Sequence, residues 1–362
     1  GGPQVRRGRG LAQPPGLVSI EPGEYPRQLT VHYSRQIYRM SLRILVAGLV
    51  SLAQACAVAP RWKSPLGTGH PLTGRIWDVD AAGFIEPETL FNRLVLPPFV
   101  LLGEKHDNPD HHALQARVLR AMIQRGRRPA VAFEMFNVDD AFTIARHLAA
   151  SPKDAAGLGP AVGWNQRGWP DWSLYQPIAE VALLSDLPIV AADLSPGTLE
   201  QLRRDGASAL DDAAARRLGL QRPFPKDALE KMKEDLQRTH CGFAPEDRLD
   251  TMADIQRARD ASLAGRIIGA GQRDGTVLVA GTGHTRKDYG VPVHLALLAP
   301  GKAVISVAYV EVAEGSTEPS LYVDRSTLTT PPFDYIWFTP RLDDRDPCKG
   351  FHKELERLKN RS

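Results

Sequence analysis

Several short apolar runs in this chain end at an acid, or break at a glycine and deliver a histidine, which constrains the fold more than any other feature. The clearest is Phe99–His106, FVLLGEKH, where the apolar residues meet Gly103 and are followed by Glu104 and His106. A run of this kind bounded by glycine reads as a buried strand, and Gly103 allows a sharp exit. The pattern recurs: Ala130–Phe133 leads into Glu134, Pro188–Ala192 into Asp193, and Thr276–Ala280 into Gly281-Thr282-Gly283-His284. Helical spacing separates these runs. Strands alternating with helices predict an α/β fold, a central and largely parallel sheet flanked by helices. Ligands of such sheets bind beyond the carboxyl ends of the strands. If the strands are parallel, Glu104, His106, Glu134, Asp193 and His284 share one edge.

The intervening segments fill in this picture. Ile76–Val79 reads as a short edge strand, Glu86–Val95 as a helix, Lys302–Val310 as a fifth strand and Asp334–Phe338 as the last. Asp110 is expected to cap a helix that buries Leu114, Val118, Leu119 and Met122 and stops near Gly126. On it, His112 and Gln115 share a face and lie beside Glu104 and His106. A further helix is expected from Asp139 to Leu148. Residues 151–175 hold Trp164, Trp169, Trp172 and Tyr175. They predict either a packed lid over the sheet or an aromatic wall for a flat ligand. Residues 196–265 read as a charged helical insertion. The helix Asp254–Ile268 carries Gln256, Arg259 and Asp260 at helical spacing, which reads as a solvated face.

The amino terminus differs from the rest. Residues 1–39 are basic and rich in Gly and Pro without periodicity, which predicts disorder or an over-extended reading frame. Met40-Ser-Leu-Arg43 then precedes ILVAGLVSLAQAC, a positive region followed by an apolar run too short to span a membrane. Residues 40–56 resemble a bacterial lipoprotein signal with Cys56 as the lipidated residue, and Met40 is the expected start. Ala57, rather than Asp, follows Cys56 and favours the outer membrane, on its periplasmic side. Residues 57–75 are expected to be a tether, 76–345 a single domain and 346–362 a tail. Export implies an oxidising compartment, in which Cys241 and Cys348 could pair. The net charge of +3 is close to balance and gives no sign of a nucleic-acid partner.

Histidines clustered with carboxylates either bind a metal or carry out acid/base chemistry. The chain has no HExxH, Walker or GxSxG motif, which removes the common zincin, P-loop and α/β-hydrolase readings. A divalent ion on His106 and His284, with Glu104 or Glu134 as general base, would give a hydrolase. The same groups could instead only tie the sheet edge together.

The stretches LLGEKHDNPDHHALQ, FEMF at Phe133–Phe136, QRARDASLAGRI and AGTGHTRKDYGVPVHL resemble the ChaN-type haem-binding uptake family, within the Tiki/TraB/erythromycin-esterase superfamily. The resemblance runs from about Ile76 to Leu298, and DYIWFTP with DPC is similar to the end of some members. Ser262-Leu-Ala264 departs slightly from the small-Met-Ala usual there. The resemblance implies an outer-membrane lipoprotein of haem and iron acquisition. Members bind haem, in at least one case as a stacked haem pair held between two protein copies with tyrosine coordination. It makes Glu104, His106, His112, Glu134, Tyr175, His284, Arg286 and Tyr289 candidates for binding haem. Tyr175 and Tyr289 are the candidate tyrosines, and Arg286 or Lys287 could meet the propionates. The superfamily also contains metal-dependent hydrolases, so that reading stays open.

Overall fold

A computed structural model describes residues 61–271, 274–323, 331–346 and 348–350. Cys56, the expected signal and leader, and most of the expected tail lie outside the described residues. From Trp62 onward the described residues form one compact unit.

The eight strands are β1 (Ile76–Asp78), β2 (Gly83–Ile85), β3 (Phe99–Glu104), β4 (Ala130–Asn137), β5 (Ile189–Asp193), β6 (Thr276–Gly281), β7 (Val304–Glu311) and β8 (Tyr335–Thr339). The helices are α1 (Pro87–Leu94), α2 (Pro109–Gln124), α3 (Asp140–Ala150), α4 (Ala155–Ala161), α5 (Trp172–Leu184), α6 (Pro196–Asp205), α7 (Asp212–Arg217), α8 (Lys226–Thr239), α9 (Glu246–Ala270), α10 (Thr282–Thr285) and α11 (Val291–Leu298). The strands form one sheet in the order β2-β1-β8-β7-β3-β6-β4-β5. β3 is parallel to β6 and β7, β4 is parallel to β5 and β6, and β7 is parallel to β8. Only β1 and β2 run antiparallel. The expected edge strand at Ile76 is thus an inner one, because β2 pairs along its free side.

β3 and β6 are buried at every position, as parallel strands covered on both faces must be. Their register sets Glu104 opposite Gly281, so both strand ends finish side by side. Gly103 is required by packing: a Cβ there would lie 2.2 Å from Thr285 Oγ1 and 3.2 Å from Thr282 Cα. The turn carrying His284 therefore rests directly on β3. β4 continues past its expected end, and its pairing with β5 shifts between Phe133 and Asn137. Glu134 sits in this irregular stretch, the kind of place where a strand re-aims a side chain.

α2 begins two residues earlier than Asp110 predicts. Asn108 is the cap, its side chain accepting from the N–H groups of Asp110 and His111, with Pro109 in the first turn. Asp110 instead accepts from the backbone N–H of Lys63 (2.9 Å) and Ser64 (2.8 Å). Ser64 and Leu72 are buried, and Leu66 bridges to Arg341. Residues 62–75 are consequently packed onto the domain instead of forming the expected tether.

The aromatic segment is also internal. Trp164, Trp172 and Tyr175 are buried among Phe133, Phe136 and Ile178. Trp164 and Trp172 meet edge to face at 4.7 Å, and each indole N–H donates to a carbonyl, of Pro170 and Ala155 respectively. The expected aromatic wall is largely core, and Trp169 alone among the three tryptophans stays half-exposed. Cys241 and Cys348 form a disulfide, with Cα atoms 5.4 Å apart. It ties the turn after α8 to the segment beyond β8.

Candidate functional site

The carboxyl ends of β3, β4, β5 and β6 bring Glu104, Glu134, Asp193 and the His284 turn to one edge, as the strand pattern predicts. Two networks meet there.

The first is centred on Glu104, which is 2% exposed. Its Oε1 accepts from Tyr175 Oη (2.9 Å) and lies 2.9 Å from His106 Nδ1, while Oε2 lies 2.7 Å from His112 Nδ1. The protonation of His112 follows from its neighbours. Its Nε2 donates to the His106 carbonyl at 2.9 Å. Gln115 Nε2 donates to the Leu102 carbonyl, which turns Gln115 Oε1 toward His112 Nδ1. Both ring nitrogens thus face acceptors, and His112 is an imidazolium. Burial opposes that charge, but Glu104 outweighs it and raises the His112 pKa. Burial likewise pushes Glu104 up, yet His112 and His106 hold it down at about 2. His106 differs: Nδ1 is fixed by Glu104, whereas Nε2 has no hydrogen-bond partner among the described residues. Its side chain is 34% exposed and meets Trp169 edge to face at 4.9 Å.

The second network is a row of alternating charge. Arg259 Nη2 donates to Asp193 Oδ2 and to Glu134 Oε1, both at 2.7 Å. Glu134 Oε2 accepts from Gly281 N (2.7 Å), and its Oε1 lies 3.2 Å from His284 Nε2. His284 Nδ1 is 2.6 Å from Asp260 Oδ1, with the Gln256 amide 2.9 Å away. Burial would lower His284, but the flanking Glu134 and Asp260 carboxylates raise it strongly. Burial would raise Glu134, but His284 and Arg259 keep it well below the usual carboxylate range. Gly281 joins the networks. A Cβ there would lie 2.9 Å from His106 Nε2 and 3.5 Å from Glu134 Oε2, so glycine leaves open space between them.

Glu134, Trp169, Asp193 and Arg259 line a cleft of about 540 Å3, with Leu194, Pro196, Leu199 and Ile255 as its apolar side. The arrangement offers one uncommitted imidazole nitrogen next to Trp169, at the side of a cleft lined by both apolar and charged residues. Such a group can donate to iron, and Glu104 on its other nitrogen would fix the ring and strengthen the donor.

Residues 90–295 match the family described as haem-binding uptake, Tiki superfamily, ChaN. This chain belongs to that family. Among solved structures, the ChaN of Campylobacter jejuni, described as binding haem cofacially, is similar with a TM-score of 0.55 and 21% identity, over 72% of this chain and 95% of that one. That likeness shows the shared α/β fold. The type III effector HopBA1 (TM-score 0.38, 14% identity, 78% of this chain and 99% of its own) and an erythromycin esterase EreC variant (0.37, 14%, 71% and 81%) are more distant. No curated protein sequence matches.

Set against this ChaN-family fold, the expected site residues divide. Glu104, His106, His112, Glu134, Tyr175 and His284 come together. Arg286 and Tyr289 do not join them. Arg286 is buried in ion pairs with Asp288 and with Asp235 (3.3 Å), and Tyr289 donates to Asp235 at 3.0 Å. Lys287 is paired with Asp334. The turn after His284 thus docks on α8 through Asp235, while Lys287 is held just before β8. Tyr175 is fully buried with its hydroxyl committed to Glu104, and burial with that carboxylate raises its pKa strongly. The expected metal pair is not assembled, because both nitrogens of His284 face carboxylates. Among the described residues, no group of three or more His, Cys, Asp or Glu is placed to hold a metal ion.

Sequence reading missed Gln256, Arg259 and Asp260, expected on a solvated face. Asp260 is completely buried and Arg259 largely so. A signal was present: Asp260 shares its helical face with Ala253, Ala264 and Ile267, all buried. A carboxylate in the middle of an apolar stripe demands a partner.

Proposed function

We propose that this protein binds haem in the cleft beside the sheet's carboxyl edge, with His106 Nε2 as the protein's donor to iron. Family membership supports haem as the ligand class. The observation that carries the residue assignment is the division of labour on His106: Nδ1 engaged by Glu104, Nε2 free, and its neighbour Trp169 lining a cleft with one apolar side. Bound haem would supply the iron centre. The chain's own residues hold and shield it. Glu104 orients His106, the imidazolium of His112 neutralises Glu104 beneath it, and Tyr175 donates to the same carboxylate. Leu194, Pro196 and Leu199 offer an apolar face to the porphyrin. Neither Tyr175 nor Tyr289 has a free hydroxyl, which favours histidine over the tyrosine coordination that the resemblance implied.

The same reading places the chain outside the cytoplasm, lipid-anchored at Cys56 in the outer membrane and serving haem or iron acquisition. The signal-like stretch before Cys56 supports this, as does the Cys241–Cys348 disulfide, since such bonds persist in oxidising compartments. Among the described residues, no helix is long and apolar enough to cross a membrane. A pair of copies around stacked haems, by analogy with the cofacial haem of the Campylobacter jejuni protein, is part of the proposal.

Titration of the purified protein with haemin tests the binding. A shifted Soret band that saturates is expected. A wild-type protein that leaves the haemin spectrum unchanged would refute it.

A further inference from the structure

We propose that Arg203 is the residue by which this cleft recognises the carboxylates of its ligand, an inference that rests on the haem reading above. A porphyrin of the haem type is apolar over both faces and ends in two carboxylates, so a cleft that takes it needs a cation at one end. Three arginines line this cleft: Arg167, Arg203 and Arg259. Two are already spent. Arg167 makes a two-pronged pair with Asp140 at 2.5 and 2.6 Å and also donates to the Val162 carbonyl. Arg259 is divided between Asp193 and Glu134. Recruiting either would strand a carboxylate that is less than a tenth exposed.

Arg203 is held by nothing comparable. Its nearest carboxylate is Glu200 at 4.0 Å, and the two side chains are 63% and 66% exposed. A pair of that kind is worth little and is easily given up. Position supports the assignment. Pro196, Leu199 and Arg203 recur at helical spacing along one face of α6, and all three line the cleft. The helix therefore presents two apolar side chains and then a guanidinium, matching the order of a porphyrin face and its acidic edge. The guanidinium fork suits a carboxylate in two-pronged geometry. Arg286 and Lys287, the cations nearest His284 in sequence, are engaged with Asp288 and Asp334 and do not compete for this role.

The test compares ligands that carry the two carboxylates with one in which they are methyl esters. The full chain and its Arg203→Ala and Arg203→Glu variants are titrated with haemin and with haemin dimethyl ester, following the Soret band. Metal-free protoporphyrin is followed in parallel by fluorescence quenching, a readout that needs no iron ligand. The wild type should prefer the free acids over the ester about tenfold, as a charge-assisted hydrogen bond allows. Arg203→Ala should erase that preference, Arg203→Glu should reverse it, and added salt should weaken the wild type selectively. Because Arg203 is exposed, thermal unfolding of the variants should match the wild type. Variants that keep the wild-type preference for the acids overturn the Arg203 assignment while leaving haem binding standing, as does a wild type that binds acid and ester equally. A wild type that binds neither haemin nor protoporphyrin overturns both.

Discussion

Replacing Arg259 by methionine tests the row of charges at the strand ends. Arg259 is 20% exposed at its side chain, whereas the carboxylates it joins, Glu134 and Asp193, are 2% and 8% exposed. Removing one partner from a buried pair typically costs about 3–5 kcal/mol, because a charge is left without compensation. Three observations place this case at the lower end. The arginine is partly solvated, Glu134 keeps Gly281 N–H and His284, and Asp193 keeps the Leu194 N–H. A loss of about 3 kcal/mol is expected. Urea unfolding of Arg259→Met against wild type measures it. Arg216→Met serves as the control, since Arg216 pairs with Asp212 only at 4.0 Å with both side chains exposed, and should change stability by under about 0.5 kcal/mol. The deficit should also depend on pH. Glu134 is held below its ordinary pKa, so its contribution is present above the unfolded value and is lost as pH falls through the folded one. Without Arg259 the stranded Glu134 carboxylate can take up a proton, so the gap to wild type should narrow as pH drops. An Arg259→Met variant as stable as Arg216→Met would refute the reasoning and return Arg259 to a solvated surface.

Gly281→Ala places a methyl 2.9 Å from His106 Nε2, and should weaken haemin binding by about tenfold or more while costing about 1–3 kcal/mol in urea unfolding. Unchanged affinity would show that this space is not used. His294 is buried, and burial lowers its pKa to about 4, with Arg257 adding to the effect. The unfolded chain takes up a proton first, so the His294 contribution is present above about pH 6.5 and lost between there and about pH 4, at up to about 1.4 kcal/mol per pH unit. His294→Leu should flatten the urea midpoint over that range, and an identical pH profile would count against the assignment. Cys241→Ser with Cys348→Ser opens a crosslink spanning 107 positions and should lower stability by about 2–4 kcal/mol, as should reductant acting on the wild type alone. If reductant leaves the wild type unmoved, the disulfide has no stabilising part.

The strand ends were legible in the sequence because a buried parallel strand is a continuous apolar run, and the residue that breaks the run is at the sheet edge by construction. That argument placed Glu104, His106, Glu134, Asp193 and His284. Helices carry weaker information. A polar residue facing a site and one facing water follow the same spacing, so Gln256, Arg259 and Asp260 could be told apart from a solvated stripe only by their apolar neighbours on α9. Nearness in sequence misled in the other direction. Arg286 and Tyr289 follow His284 closely, but the turn between them leads toward Asp235 on α8, and no local pattern encodes that docking. The tryptophans misled because an aromatic cluster that lines a ligand and one that fills a core share the same composition. Phe136 and Tyr175, which enclose Trp164, come from separate elements that meet only in the fold.

The assignment of His106 as the donor to haem iron is tested most directly by deleting its ring and supplying it again. We expect His106→Gly to lose the shifted Soret band of the wild-type haemin complex, and imidazole added to the solution to restore it, while Tyr175→Phe keeps the wild-type spectrum. A His106→Gly variant that binds haemin with an unchanged spectrum, or loss of the band in Tyr175→Phe with His106 intact, would contradict that assignment.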